Sequence, residues 1–176
     1  MKFIGEITKK MTFRKVRQNE AAQIAALHAR SWQIAYKGIL SDSFLENEVF
    51  DERLKVWQNR FATPQDSRCI FVAVDDGIIC GFVCIYGNAD AQWGSLIDNL
   101  HVSPDFKGKG IGKRLMNEAK KWIFETHQTT YFHLWVYENN HAARQFYEKL
   151  GGENVESENH QGLDGTWANA LRYVWR

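Results

Sequence analysis

The sequence predicts a mixed α/β domain built around one twisted sheet, and three observations lead there. Apolar residues recur at helical spacing, switch to strand-like runs, and then alternate between the two patterns as strand, helix, strand, helix, strands. A hairpin signal, Asp75-Asp76-Gly77, lies between two β-rich runs. The chain has 176 residues and is 44% hydrophobic, enough for one domain over residues 1–176 with a real core, and no Pro/Gly/Ser-rich linker divides it.

Taken in order, residues 1–11 are a leading strand or a tail, and Phe13 to Val16 is a short apolar first strand. Glu20 to Trp32 carries Leu27, Ala29 and Trp32 at helical spacing until Gly38 and Ser41-Asp42 interrupt it. Ser41 to Glu46 and Glu52 to Phe61 continue as helix, with Phe44, Leu45, Leu54, Trp57 and Phe61 on one face, and end before Thr63-Pro64. Cys69 to Val74 and Ile78 to Tyr86 form the hairpin, Gly87 to Gly94 is a polar loop, and Ser95 to Val102 is the next strand. Ile111, Leu115, Ala119, Trp122 and Ile123 define a long amphipathic helix. Tyr131 to Tyr137 is a strand, Asn140 to Leu150 a helix stopped by Gly151-Gly152, and Asn154 to Glu158 and Trp167 to Trp175 are the last strands.

Charge and composition exclude several classes. Twenty-two basic residues against 21 acidic leave no global field for sequence-independent nucleic-acid binding. No apolar core of a signal peptide follows Met1, and no run approaches the roughly 20 apolar residues of a membrane span, so a cytoplasmic protein with no membrane partner is expected. Cys69, Cys80 and Cys84 form no Cys-x-x-Cys pair and the six histidines no His-Glu-x-x-His, which points to neither a disulfide frame nor a bound metal. The cysteines read as core residues of strands.

The chain is organised around Leu100 to Lys121, which joins a strand, a glycine-rich basic turn and a helix. Gly108, Gly110 and Gly112 leave the backbone bare where several amides can converge on one anion, and the following helix starts on them, so its dipole and unpaired amides face the same point. Lys107, Lys109, Lys113, Arg114, Lys120 and Lys121 gather positive charge there, which suits a small ligand with several phosphates. Spacing excludes a Walker loop, because Arg114 follows Lys113 where a hydroxyl is required, and a Rossmann fingerprint, because Lys113 replaces its third glycine.

What remains, Lys107-x-x-Gly110-x-Gly112, resembles the signature of the GCN5-related N-acetyltransferase (GNAT) family, usually Gln/Arg-x-x-Gly-x-Gly/Ala, with Lys107 in place of Gln or Arg. A second segment, Asn139 to Gly151, places Asn140, Ala143, Phe146, Tyr147, Lys149 and Gly151 where the family pattern has Asn, Ala, an apolar residue, Tyr, Lys and Gly. The order of elements matches the family from end to end. The resemblance implies a central, mostly antiparallel sheet whose fourth and fifth strands, here Ser95 to Val102 and Tyr131 to Tyr137, splay apart. It implies acetyl-coenzyme A as the cofactor: pantetheine along Leu100, His101 and Val102, pyrophosphate on the amides of Lys107, Gly108, Lys109, Gly110, Ile111 and Gly112, and Asn140 at the far end of the arm. Lys113 or Arg114 is within reach of the remaining phosphate.

Acetyl transfer from a thioester to an amine requires a neutral nucleophile, a donor for the oxyanion and a proton for the leaving thiolate. A backbone amide near Leu100 to Val102 can serve the oxyanion, and Tyr147 occupies the position at which many family members carry the phenol that protonates the thiolate. Strand alternation puts Asp98 on one face with Leu96, Leu100 and Val102, opposite Asn99 and His101. Asp98 is therefore the base if that face looks into the cleft, and His101 if it does not. Trp32, Tyr36, Trp135 and Tyr137 are the aromatics within reach of the acceptor, with Trp32 favoured as core and Tyr36 as pocket. The expected function is direct N-acetylation of a small-molecule or peptide amine without a covalent enzyme intermediate. The rival is a non-catalytic acyl-coenzyme A-binding module, and homodimers are common in the resemblance.

Overall fold

The computed structural model describes residues 11–176, and the expectation for residues 1–10 lies outside them. Strand β1 (Thr12–Lys15) is followed by helices α1 (Ala21–Ala35), α2 (Asp42–Asn47) and α3 (Val49–Ala62), strands β2 (Arg68–Asp75), β3 (Ile78–Asp90) and β4 (Gly94–Val102), a 3-10 turn at Pro104–Phe106, helix α4 (Ile111–His127), strand β5 (Phe132–Tyr137), helix α5 (His141–Lys149), and strands β6 (Glu153–Gln161) and β7 (Trp167–Trp175). The seven strands form one sheet in the order β1-β2-β3-β4-β5-β7-β6. Every pairing is antiparallel except β4 with β5, which is parallel. The sequence therefore reads as the mixed α/β fold that it forms.

Several elements run further than their apolar spacing indicates. Helix α1 continues three residues past Trp32 to Ala35, and α3 starts at Val49 rather than Glu52. Ser41 caps α2 by accepting a hydrogen bond from the Phe44 amide, a contact worth about 1 kcal/mol in such positions. The polar stretch after Tyr86 is mostly strand: Asp90 pairs with Gly94, and the Asp90 carboxylate closes the connection by accepting from the amides of Gln92 and Trp93. Between β2 and β3, Asp76 and Gly77 both take positive φ, as the predicted two-residue hairpin requires.

Two cores lie on opposite faces of the sheet. On one, Ile111, Leu115, Met116, Ala119 and Ile123 of α4 pack with Tyr147 of α5 against Ile97, Leu134 and Leu171. On the other, Ile24 and Leu27 of α1 and Trp57 and Phe61 of α3 cover Val72, Phe82 and Cys84. All three cysteines are free and buried, and burial raises each thiol pKa, Cys84 to about 12. They are packing groups, as expected. Among the described residues no helix is long and apolar enough to cross a membrane, and no cluster of side chains could hold a metal ion.

Candidate active site

Strands β4 and β5 pair only at Ser95 with Phe132 and Leu96 with His133, and then part. Beyond Leu96 the β5-facing edge of β4 has no partner strand, and a cleft of about 490 Å³ opens there. A β-bulge marks the parting. Cys84 of β3 pairs with Asn99, but its neighbour Ile85 pairs with Ile97, so Asp98 is an extra residue in β4. This overturns the simple alternation. Ile97, Leu100 and Val102 pack on the α4 side. Asp98 joins Asn99 on the α3 side, where Arg60 stands 2.8 Å from each. Asp98 and His101 both line the cleft, so neither candidate base is removed by position.

At the other end of the cleft, α4 begins on Gly110 without a side-chain cap, and Gly108 and Gly110 hold φ of +79° and +75°. Lys107 donates its amide to Pro104, and the next amide with a backbone partner is that of Arg114, to Gly110. The amides of Ile111, Gly112 and Lys113 are thus left for an outside acceptor. A Cβ on Gly110 would meet open space, whereas one on Gly112 would stand 3.2 Å from the Phe146 ring. The turn fits a phosphate-bearing group: bare backbone, uncapped amides, and Lys107 and Lys113 on the cleft wall. Arg114 is committed elsewhere, its guanidinium 4.3 Å from the centre of the Phe13 ring, which leaves Lys113 as the cation of the pair facing the cleft. Lys109 does not line the cleft, because its ammonium sits 4.5 Å over Phe106.

Tyr147 projects from α5 into the space between the splayed strands, its ring held by Phe146, Tyr173 and Trp175. Only 9% of it is exposed, and its hydroxyl makes no hydrogen bond among the described residues. Burial pushes the phenol pKa up, so it is a protonated donor at neutral pH. Asn140 caps α5 through its carbonyl oxygen, which accepts from the Ala143 amide, and its side chain borders the cleft. Tyr36 closes the α1 side, and its pKa is raised by burial first and then by the nearby phenols of Tyr147 and Tyr137. A second phenol beside Tyr147 is a feature that sequence reading placed only as a pocket wall. Ser31 and Ala35, one helical turn apart on α1, also line the cleft, a helical face that the apolar spacing of α1 did not single out.

Three expected acceptor aromatics take different places. Trp32 does not line the cleft: it packs 5.0 Å behind Tyr36 with Arg53 4.2 Å over its ring, as a core aromatic. Tyr137 is also set back, edge-on to Tyr36 at 5.2 Å. Trp135 reaches the cleft wall, yet its ring is stacked by Arg172 at 4.3 Å. Near Tyr137 the β6–β7 turn docks on the loop after α1: the Ser41 amide donates to Asp164 at 2.5 Å, and Thr166 donates to the other carboxylate oxygen. Partial burial opposes the Asp164 charge, but these hydrogen bonds outweigh it and bring its pKa down to about 2.

His101 shares a 2.8 Å hydrogen bond with Ser31 and lies against His28, ring centres 4.5 Å apart. His28 is fully buried and accepts from the Trp57 indole N–H at 3.0 Å. Burial, reinforced by Arg53 and Lys107, pushes His101 down to about 3, and burial pushes His28 down as well. Both are therefore neutral in the folded protein at pH 6.5, while in the unfolded chain they take up protons as the pH falls below that value. Their stabilisation is present above pH 6.5 and is lost as the pH falls through their lowered values, for His101 toward 3. Melting curves should show a loss on the order of 2 kcal/mol from His101 alone by pH 4.5, roughly 5 °C in Tm, and a flatter slope in His101→Gln. An unchanged slope in that variant would show that His101 titrates normally.

A cleft between parted parallel strands carries an uncapped glycine turn and a buried phenol on its wall, a shape that fits an extended, phosphate-bearing group. The profile of the Acetyltransferase (GNAT) family matches residues 25–152, and the chain belongs to this family, whose members use acetyl-coenzyme A. It is 35% identical over 106 residues to an uncharacterized N-acetyltransferase of Archaeoglobus fulgidus, covering 56% of this chain and 69% of that protein. It is 30% identical over 132 residues to a probable N-acetyltransferase of Mycobacterium tuberculosis, covering 72% and 71%. Its fold is similar to that of the PaiA N-acetyltransferase of Thermoplasma acidophilum, solved in complex with coenzyme A, with a TM-score of 0.72, 19% identity, and coverage of 94% of this chain and 99% of that one.

Proposed function

We propose that the protein is an acetyl-coenzyme A-dependent N-acetyltransferase that passes the acetyl group directly to a primary amine of a small molecule or peptide. The observation that carries this reading is the Tyr147 phenol, protonated and without a partner among the described residues, in the cleft that opens where β4 and β5 part. Acetyl-coenzyme A supplies an acetyl group activated as a thioester. The amides from Ile111 to Lys113 hold its pyrophosphate, with Lys107 and Lys113 beside them, and the open edge of β4 from Leu100 to Val102 pairs with its pantetheine arm. Asn140 orients the far end of that arm. A backbone amide of the same β4 edge donates to the oxyanion, and Tyr147 gives its proton to the departing thiolate. Asp98, on the cleft wall beside Arg60, takes the proton of the incoming ammonium through water, because an ammonium with a pKa near 10 is no nucleophile. Tyr36 forms the wall against which the acceptor lies.

Purified protein should bind acetyl-coenzyme A saturably in calorimetry and far more tightly than AMP, which lacks both the pyrophosphate and the pantetheine. Thiol release over a panel of amines then tests transfer. No binding heat at millimolar cofactor would end the reading, and binding without transfer to any amine would favour a non-catalytic acyl-coenzyme A-binding module.

A further inference from the structure

Arg60 of α3 transfers no proton in the chemistry above, yet its guanidinium touches the residues that bound the bulge of β4. One amino group donates to the Asn99 side-chain oxygen at 2.8 Å and lies 3.9 Å from the Cys84 sulfur. The other stands 2.8 Å from the Asp98 carboxylate. Cys84 and Asn99 are the last matched pair before the register shifts, and Asp98 is the residue left over. A β-bulge is one of two ways that β4 could lie on β3. If Asp98 were to take a regular place opposite Ile85, its carboxylate would enter the apolar core that Ile85 and Ile97 share with α4. Sending both Asp98 and Asn99 toward α3 calls for one group there that can bind two neighbouring oxygens, and a guanidinium offers two amino groups in a fixed planar fork that the freely rotating ammonium of lysine lacks. The guanidinium is itself held, 4.9 Å over the buried Trp57 ring and 5.9 Å from the centre of Tyr86, while the Arg60 carbonyl accepts from Arg68.

We infer that Arg60 is a positioning residue: its fork on Asp98 and Asn99 fixes the bulge, and the bulge aims the open edge of β4 from Leu100 to Val102 into the cleft. The inference rests on the acetyltransferase reading for its catalytic consequence and on the register of β4 for its structural one. In Arg60→Lys the charge stays and the fork is lost. Hydrogen–deuterium exchange over residues 97–102 should then quicken while exchange in α4 is unchanged, acetyl-coenzyme A affinity should fall by roughly threefold to tenfold, and kcat by about tenfold or more, with Tm within a few degrees of the parent, as misplacement of a binding edge predicts. Arg60→Met should show the same pattern more strongly. An arginine that merely packs would lose stability in the Met variant and recover every property in the Lys variant. Parent-like exchange and affinity in Arg60→Lys would therefore overturn the inference. If the parent binds acetyl-coenzyme A but acetylates no amine, the functional reading fails, and exchange and affinity still decide the role of Arg60.

Discussion

Tyr147→Phe should lower kcat by about 10²-fold or more while leaving acetyl-coenzyme A affinity and Tm near those of the parent. The variant removes one oxygen and almost no apolar volume, so the contacts of the ring with Phe146, Tyr173 and Trp175 survive. Because the hydroxyl satisfies no buried partner among the described residues, its loss leaves no protein group stranded, and stability has little reason to change. A large fall in turnover with an unchanged melting curve would then report proton donation to the thiolate. The measurement needs an acceptor whose chemical step limits turnover, since slow product release would conceal the loss. Parent-like turnover under that condition would take Tyr147 out of the mechanism and direct attention to Tyr36, the second phenol in the cleft.

Gly110→Val and Gly112→Val should both weaken acetyl-coenzyme A binding by at least tenfold, but for different reasons. Position 110 has room for a side chain, so its difficulty is conformational: at φ +75° a β-branched residue is strained by about 1–2 kcal/mol, and relaxing that strain turns the first amides of α4 away from their common point. Position 112 has ordinary φ but little room, since a Cβ there meets the Phe146 ring at 3.2 Å and the further methyls of valine must displace that ring. A Gly112→Val variant should therefore lose Tm as well as affinity, whereas Gly110→Ala, with less branching, should recover part of the binding lost in Gly110→Val. Calorimetry and melting curves on the three variants separate these causes. Parent-like affinity in Gly110→Val would show that the phosphate cradle lies elsewhere.

The run from β4 through the glycine turn into α4 was legible in the sequence because each of its steps is local. Strand-like apolar spacing, bare backbone and a 3.6-residue repeat are all written within 22 consecutive residues, Leu100 to Lys121. Asp98 was misplaced on its strand for the opposite reason. A single extra residue leaves no mark on an alternating pattern, and the group engaged with it, Arg60, is bonded to its neighbour Asn99 across 39 positions of chain. A trace of Arg60 was available, since it follows Trp57 by three residues and must flank the buried face of α3. Tyr137 and Lys109 illustrate another limit. Their elements were placed well enough, but whether each faces the cleft depends on a competing ring, Tyr36 for Tyr137 and Phe106 for Lys109, and spacing does not record that competition.

The bond between Ser41 and Asp164 joins residues 123 positions apart. Closing a free loop of that size costs about 2 kcal/mol more than closing one a tenth as long, more than a single surface hydrogen bond returns. The contact becomes favourable only after the paired strands have brought the two segments together and shortened the effective loop. The Ser41–Asp164 bond, and the wall near Tyr137 that it closes, are therefore expected to form after the strands have paired, whereas the glycine turn before α4 is made of neighbours in sequence. Changes in the β6–β7 turn can then reshape that wall with little disturbance to the glycine turn before α4, which is built from neighbours in sequence.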